Sequence, residues 1–133
     1  MPFPVDIKYI NETEQEFQLE FPDKFKLKMI KENGGELITE EEDWQLFPFF
    51  DKSDKKRISR TCNHIGLETK RAKEWKDFPK NGVAIASNGC GDFLVLLPTV
   101  ENEKKLGEEI FCWIHETGEL EKVAENIEEL NED

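Results

Sequence analysis

The side chains best suited to metal binding or nucleophilic chemistry are Cys62, Cys90, Cys112, His64 and His115. Cys62-Asn63-His64 holds two ligand types together, and Cys112 and His115 fall within one short apolar run. Structural zinc sites take two close pairs of ligands, and no second pair is present here. On a strand, Cys112 and His115 would also point to opposite faces. A thiol nucleophile needs a base and a group that orients it. Cys90 stands between two glycines with no helix start or basic neighbour to activate it, and Asp92 would raise its pKa. Asn88-Gly89-Cys90-Gly91 contains Gly-x-Gly but lacks the third glycine and the Lys-Ser/Thr ending of a phosphate loop. It also leads into a strand, so no helix N-terminus stands ready for a phosphate. No catalytic residue, metal site or cofactor is expected, and Cys62 and Cys112 read as small core residues.

The remaining candidates are surfaces for binding. Glu40, Glu41, Glu42 and Asp43 form a contiguous acidic run without the alternating ligands and central glycine of a calcium loop. Such a run is a solvated loop or a surface for a cationic partner. The acids Glu128, Glu129 and Glu132 form a second group. Among the tryptophans, Trp113 lies in an apolar strand and reads as core, whereas Trp44 reads as core or as a rim anchor. Trp75, among Lys73, Lys76 and Asp77, is the one expected to be exposed, where an aromatic residue can anchor an interface.

The elements that must position these residues follow from periodicity and from breakers. Phe3, Val5, Ile7 and Tyr9 alternate as in a strand kept off a sheet centre by Pro2 and Pro4. Asn11 then caps a short acidic helix through Glu16. A helix is expected from about Pro22 to Asn33, because Pro22 suits a first turn and Gly34-Gly35 suits an end that needs positive φ. Glu36–Ile38 and Trp44–Phe47 read as short strands around the acidic turn, with Pro48 ending the second. Ile58, Cys62, Ile65, Thr69 and Ala72 suggest a helix over Lys55 to Lys76, weakened near Gly66. Val83–Ala86 and Phe93–Leu97 form a hairpin across a Gly-rich turn, and Ile110–His115 with Leu120–Val123 form another. Asn126 caps a last short helix that carries Ile127 and Leu130 inward. The expected class is α+β: an antiparallel sheet with helices packed mainly on one side, in a single domain over residues 1–133.

The length of 133 residues fits one domain. Ten Phe and three Trp supply enough apolar surface for a core despite 36% charged residues. The net charge of −12 argues against nucleic-acid binding and favours a basic partner. Charge is unevenly distributed: residues 51–80 carry 10 basic and 5 acidic side chains, and residues 101–133 carry 3 and 12. These segments either form separate faces or neutralise each other. The longest apolar run, Phe93–Leu97, is too short to cross a bilayer, and the first residues lack the pattern of a signal peptide. The odd cysteine count points to the reducing cytoplasm.

Four blocks together resemble the SUKH superfamily, which includes fungal cell-wall-assembly and glucan-synthesis regulators and many bacterial immunity proteins. Phe21-Pro22-Asp23 through Asn33-Gly34-Gly35 is similar to the family's opening helix, and Trp44-Gln45-Leu46-Phe47-Pro48 to its aromatic-centred strand. Ala84–Ala86 through Gly91–Leu96 resembles the central hairpin with its Gly-Asp turn. Ile110–His115 followed by Val123–Leu130 resembles the closing strands and capped helix. The middle helix and the first segment depart from the pattern. The resemblance implies a non-catalytic protein-binding domain, an immunity protein that neutralises a cognate toxin such as a nuclease. The alternative it implies is a regulatory scaffold that binds other cellular proteins. The expected partner is a basic toxin or other protein, not a membrane or nucleic acid, and the chain itself is expected to be a monomer or weak homodimer. The candidate contact residues are Glu40, Glu41, Glu42, Asp43, Trp44, Trp75, Glu128, Glu129 and Glu132.

Overall fold

A computed structural model describes residues 3–39 and 42–132. Its first helix, α1 (Ile7–Phe17), replaces the expected N-terminal strand. The alternation of Phe3, Val5, Ile7 and Tyr9 straddles two different conformations. Phe3 and Val5 belong to an extended lead-in, fastened by Val5 N–H donating to Ile30 O (3.2 Å) and Asn33 N–H donating to Phe3 O (2.8 Å). The helix then starts under the Asp6 side chain, which accepts from Lys8 N–H at 3.0 Å. It buries Tyr9, Ile10 and Thr13, a helical spacing, so Asn11 lies inside the helix and does not cap it.

Helix α2 (Asp23–Lys31) follows Pro22 as expected and runs into Asn33-Gly34-Gly35. Gly34 and Gly35 have φ of 116° and 101°, backbone that L side chains rarely adopt. That turn launches β1 (Gly35–Ile38), which pairs antiparallel with β2 (Asp43–Leu46). Asn33 itself is buried, and its side chain reaches across to Phe49. Its Nδ2 donates to Phe49 O and its Oδ1 accepts from Phe49 N–H, both at 2.8 Å. This clamp holds Phe49 against Phe21 and Phe25, with ring centroids 5.0 and 5.9 Å away.

The expected long middle helix is two helices, α3 (Lys55–Arg60) and α4 (Ile65–Ala72). The interruption falls at Thr61–His64, and Gly66 sits within α4. His64 caps α4 by accepting from Leu67 N–H at 3.2 Å. The apolar face is therefore not continuous. Ile65, Gly66, Thr69 and Ala72 are buried, whereas Ile58 and Cys62 are exposed, so Cys62 is not a core residue.

The sheet is completed by β3 (Val83–Ser87), β4 (Phe93–Pro98), β5 (Leu106–Trp113), β6 (Leu120–Ala124) and β7 (Asn131–Glu132), in the spatial order β6-β5-β4-β3-β2-β1-β7. Both expected hairpins form, and every neighbouring pair is antiparallel. Asn126 caps a single 3₁₀ turn, Ile127–Glu129, by accepting from Glu128 N–H, and Ile127 and Leu130 point inward. The class is α+β, as expected.

Pro48 decides where α4 can sit. Strand β2 pairs with β3 only through Gln45 and Leu46, and Phe47 N–H adds one bond to Ile85 O. Pro48 has no N–H to continue the ladder, and the chain leaves the sheet there. Thr69 of α4 takes the next backbone position: its hydroxyl accepts from Ala84 N–H at 3.0 Å and donates to Ala84 O at 3.4 Å. Ile65 N–H donates to Pro48 O at 2.8 Å, which fixes the start of α4 at the same point. Beyond α4, Phe78 packs edge-on against Phe93 and Trp113, so the tryptophan of β5 is fully buried. Among the described residues no helix is long and apolar enough to cross a membrane.

Replacing Asn33 by Ala leaves the N–H and C=O of Phe49 buried without partners. Losing such bonds costs about 1–3 kcal/mol per unsatisfied group. Urea denaturation should show Asn33→Ala destabilised by roughly 2–4 kcal/mol at an unchanged m-value. A loss below 0.5 kcal/mol would mean that the clamp does not hold α2 to the following loop.

Candidate functional site

Strand β1 is paired on both sides. Leu37 and Ile38 face Trp44 and Asp43 of β2 on one side, and Glu132 and Asn131 of β7 on the other. The Ile38 end of β1 therefore lies beside the chain entering β7. Glu42 and Glu129, far apart in sequence, line one groove of about 770 Å³. Its carboxylates are Glu42, Asp92, Glu121 and Glu129, each from a different part of the chain. Its apolar lining comes from Ile38, Ile114, Val123 and Leu130, and Cys112 and Trp44 complete it.

The rim is built by hydrogen bonds between acids and neutral donors. The Asn88 side-chain amide donates to Glu42 Oε2 (2.8 Å) and to Asp92 Oδ2 (3.3 Å), tying the β1–β2 turn to the β3–β4 turn. Asp92 Oδ1 accepts from His115 N–H at 3.0 Å and lies 2.6 Å from His115 Nδ1. Burial raises the Asp92 pKa, but these bonds and that from Asn88 outweigh it, so the carboxyl lies below its ordinary value. Gly91 makes room for the imidazole: a Cβ there would stand 3.0 Å from His115 Nδ1, and its φ of 103° is itself unfavourable to a side chain. Glu129 Oε1 accepts from Glu125 N–H at 2.7 Å, which folds the last rim acid back over the 3₁₀ turn.

Among the described residues Lys122 is the one cation in the groove lining, and it is already compensated. It pairs with Glu109 (2.8 Å) and Glu125 (2.5 Å), whose hydrogen bonds raise its pKa and keep it charged. Cys112 reports the resulting field. Burial first, and then the charges of Asp92, Glu121 and Glu42, push its thiol up to about 11. Cys90 is exposed, and the Asp92 charge bears on half-buried Cys112.

The candidate residues separate into distinct places. Glu42 and Glu129 line the groove, whereas Glu40 and Glu41 lie outside the described residues. Asp43 lines a neighbouring hollow of about 490 Å³ with Glu36, Glu68 and Arg60. Trp44 is 3% exposed and its Nε1 donates to Thr39 Oγ1 at 3.0 Å, so it is a core residue of this chain and not a rim anchor. Trp75 is 47% exposed and packs edge-on against His115 and Trp113, behind the Asp92 side of the groove. Glu128 turns towards α2 and pairs with Lys24 at 3.6 Å. The backbone of Glu132 pairs with Leu37. Sequence reasoning missed Asp92 and Glu121. The signal available for Glu121 was an acid among the apolar residues of a strand, and for Asp92 the first position after the turn glycine.

Both imidazoles are held by neighbouring groups. His115 is committed to Asp92, and His64 Nδ1 caps α4, where burial lowers its pKa. Among the described residues, no three of His, Cys, Asp and Glu converge on a metal position.

The environment of Cys112, burial first and neighbouring carboxylates second, has a direct chemical readout. With its pKa near 11, Cys112 carries almost no thiolate at pH 8. A thiol reagent should therefore label two of the three cysteines quickly, exposed Cys62 and Cys90, and the third only after unfolding. Glu121→Gln should speed Cys112 labelling. Labelling of Cys112 that Glu121→Gln leaves unchanged would contradict a contribution of that carboxylate to the potential at the thiol.

No curated protein and no solved structure matches the chain. The family model described as the SMI1 / KNR4 family (SUKH-1) matches residues 4–133, nearly the whole chain. The capped 3₁₀ turn, the two hairpins and the Asn-Gly-Gly exit from α2 all fall within that match. The chain belongs to the SMI1 / KNR4 family, SUKH-1.

Proposed function

We propose that this protein is an immunity protein: a non-catalytic binding domain that neutralises a cognate toxin by seating a cationic segment of it in the acidic groove. One observation carries the reading. Carboxylates from four separate stretches of chain converge beside apolar side chains, while Lys122, the only lysine there among the described residues, is neutralised by acids of its own. Family membership supports a protein-binding role in general. Electrostatics supports the sign of the partner, because a chain of net charge −12 with four carboxylates at one cleft attracts a basic protein and speeds their encounter. The apolar side chains would hold an aliphatic or aromatic side chain between flanking lysines or arginines. Blocking the substrate groove of a basic nuclease in this way needs no chemistry from the domain. Three unpaired thiols fit a reducing cytoplasm as the place of action. A regulatory scaffold would use the same groove on a cellular partner.

Co-expression with the product of the neighbouring gene separates the two. For an immunity protein, the neighbour is toxic alone, growth is rescued by this chain, and the pair co-purifies at low salt. Raising NaCl from 50 to 500 mM should slow association at least tenfold. Glu42→Lys, Glu121→Lys and Glu129→Lys combined should abolish rescue while the melting temperature stays within a few degrees. A neighbour that is neither toxic nor bound would favour the scaffold. Binding indifferent to salt and to charge reversal would exclude the groove.

A further inference from the structure

The basic segment, residues 51–80, does not neutralise the acidic one. Among the described residues its ion pairs run to Glu12, Glu16, Asp51 and Glu68, and none reaches residues 101–133. Charge is segregated instead, and its positive end is concentrated on α3. Lys56 Nζ, Arg57 Cζ and Arg60 Cζ lie 5.6, 4.8 and 4.8 Å from the centroid of one ring, that of Phe3. Arg57 is partly compensated by Asp51 at 3.8 Å. Lys55, Lys56 and Arg60 have no carboxylate within ion-pair distance among the described residues, in a chain with 30 acids for 18 bases.

Burial of an apolar face does not explain this arrangement. A helix is ordinarily held by burying an apolar face. Helix α3 buries no side chain, and its one large apolar residue, Ile58, is 40% exposed. It is held by its ends: Asp54 accepts from Arg57 N–H (2.8 Å), and Thr61 donates to Arg57 O (2.7 Å) and accepts from Asp51 N–H (2.9 Å). The backbone of Phe3 is fixed by the bond from Asn33 N–H to Phe3 O.

We propose that α3 and the Phe3 ring form a second docking surface, which takes a short acidic segment of a partner protein. The Arg60 guanidinium can engage a carboxylate in a bidentate fork, Lys55 and Lys56 act as point charges, and Phe3 gives an apolar floor. The size of the patch sets the length of the occupant. Six helical residues span about 9 Å, close to the Debye length of about 8 Å at physiological salt. Three or so extended residues cover that distance. A long polyanion such as a nucleic acid would also lie over Glu36, Asp43 and Glu68, which share a hollow with Arg60. The proposal stands independently of the acidic groove.

A fluorescein-labelled octapeptide of alternating Asp and Glu tests it by fluorescence anisotropy against the full chain at 50 mM NaCl. Saturable binding is expected. Lys56→Glu with Arg60→Glu should weaken it at least tenfold, whereas Glu121→Gln with Glu129→Gln should change it less than threefold. Both altered α3 side chains are exposed, so an unchanged melting temperature serves as the folding control. The proposal is overturned by no binding at 1 mM protein, or by binding that the α3 variant leaves intact. Tighter binding to an oligonucleotide or to phosphatidylserine vesicles would overturn the choice of partner. Self-association that the α3 variant abolishes would do the same, because it would make a second copy the occupant.

Discussion

The pairing of β1 on both of its edges is the constraint from which the binding face follows. A four-residue strand flanked on one side only would leave the β1–β2 turn and the C-terminal acids unrelated. Because β7 adds to the free edge of β1, residues 131–132 lie beside Leu37 and Ile38, and Glu129 stands across from Glu42. The strand can take this position only because the chain enters it with positive φ at Gly34 and Gly35, after the Asn33 side chain has fixed the end of α2 to Phe49. Leu37, buried between the two ladders, makes the position costly to abandon.

Gathering carboxylates around one cleft opposes folding through mutual repulsion, and the fold offsets this without cancelling the potential. Asn88 bridges Glu42 and Asp92 with neutral donors, and His115 secures Asp92. The charge of Lys122 is spent on Glu109 and Glu125. Burial raises the pKa of Cys112 most, and the charges of Asp92, Glu121 and Glu42 raise it further. Such a site has its acids fixed before a partner arrives, which lowers the ordering cost of binding.

Local signals were readable along much of the chain. The hairpins, the exit at Pro48, the Gly-Gly turn and the Asn126 cap each depend on a few adjacent residues whose backbone preferences agree with the fold. The misread places are those where adjacent residues belong to different structures. Phe3 and Tyr9 share an alternation but not a conformation, and Ile58 and Cys62 share a helical phase with Ile65 but not a helix. The acidic groove is of another kind. Glu42 and Glu129 were recognisable as acids, but their proximity depends on a two-residue ladder formed between distant parts of the chain. The segregation of charge was visible in the sequence, whereas whether the two segments met required the ion pairs themselves.

The central claim is that the cleft bounded by Glu42, Glu121 and Glu129 recognises cationic protein segments. Amide chemical shifts of the ¹⁵N-labelled chain, titrated with a Lys- and Leu-containing peptide, test it most directly. The account predicts a contiguous set of shifts at residues 38–44, 112–114, 120–124 and 127–130, fading as salt is raised. Shifts scattered over all acidic surfaces, or confined to the helices, would contradict it.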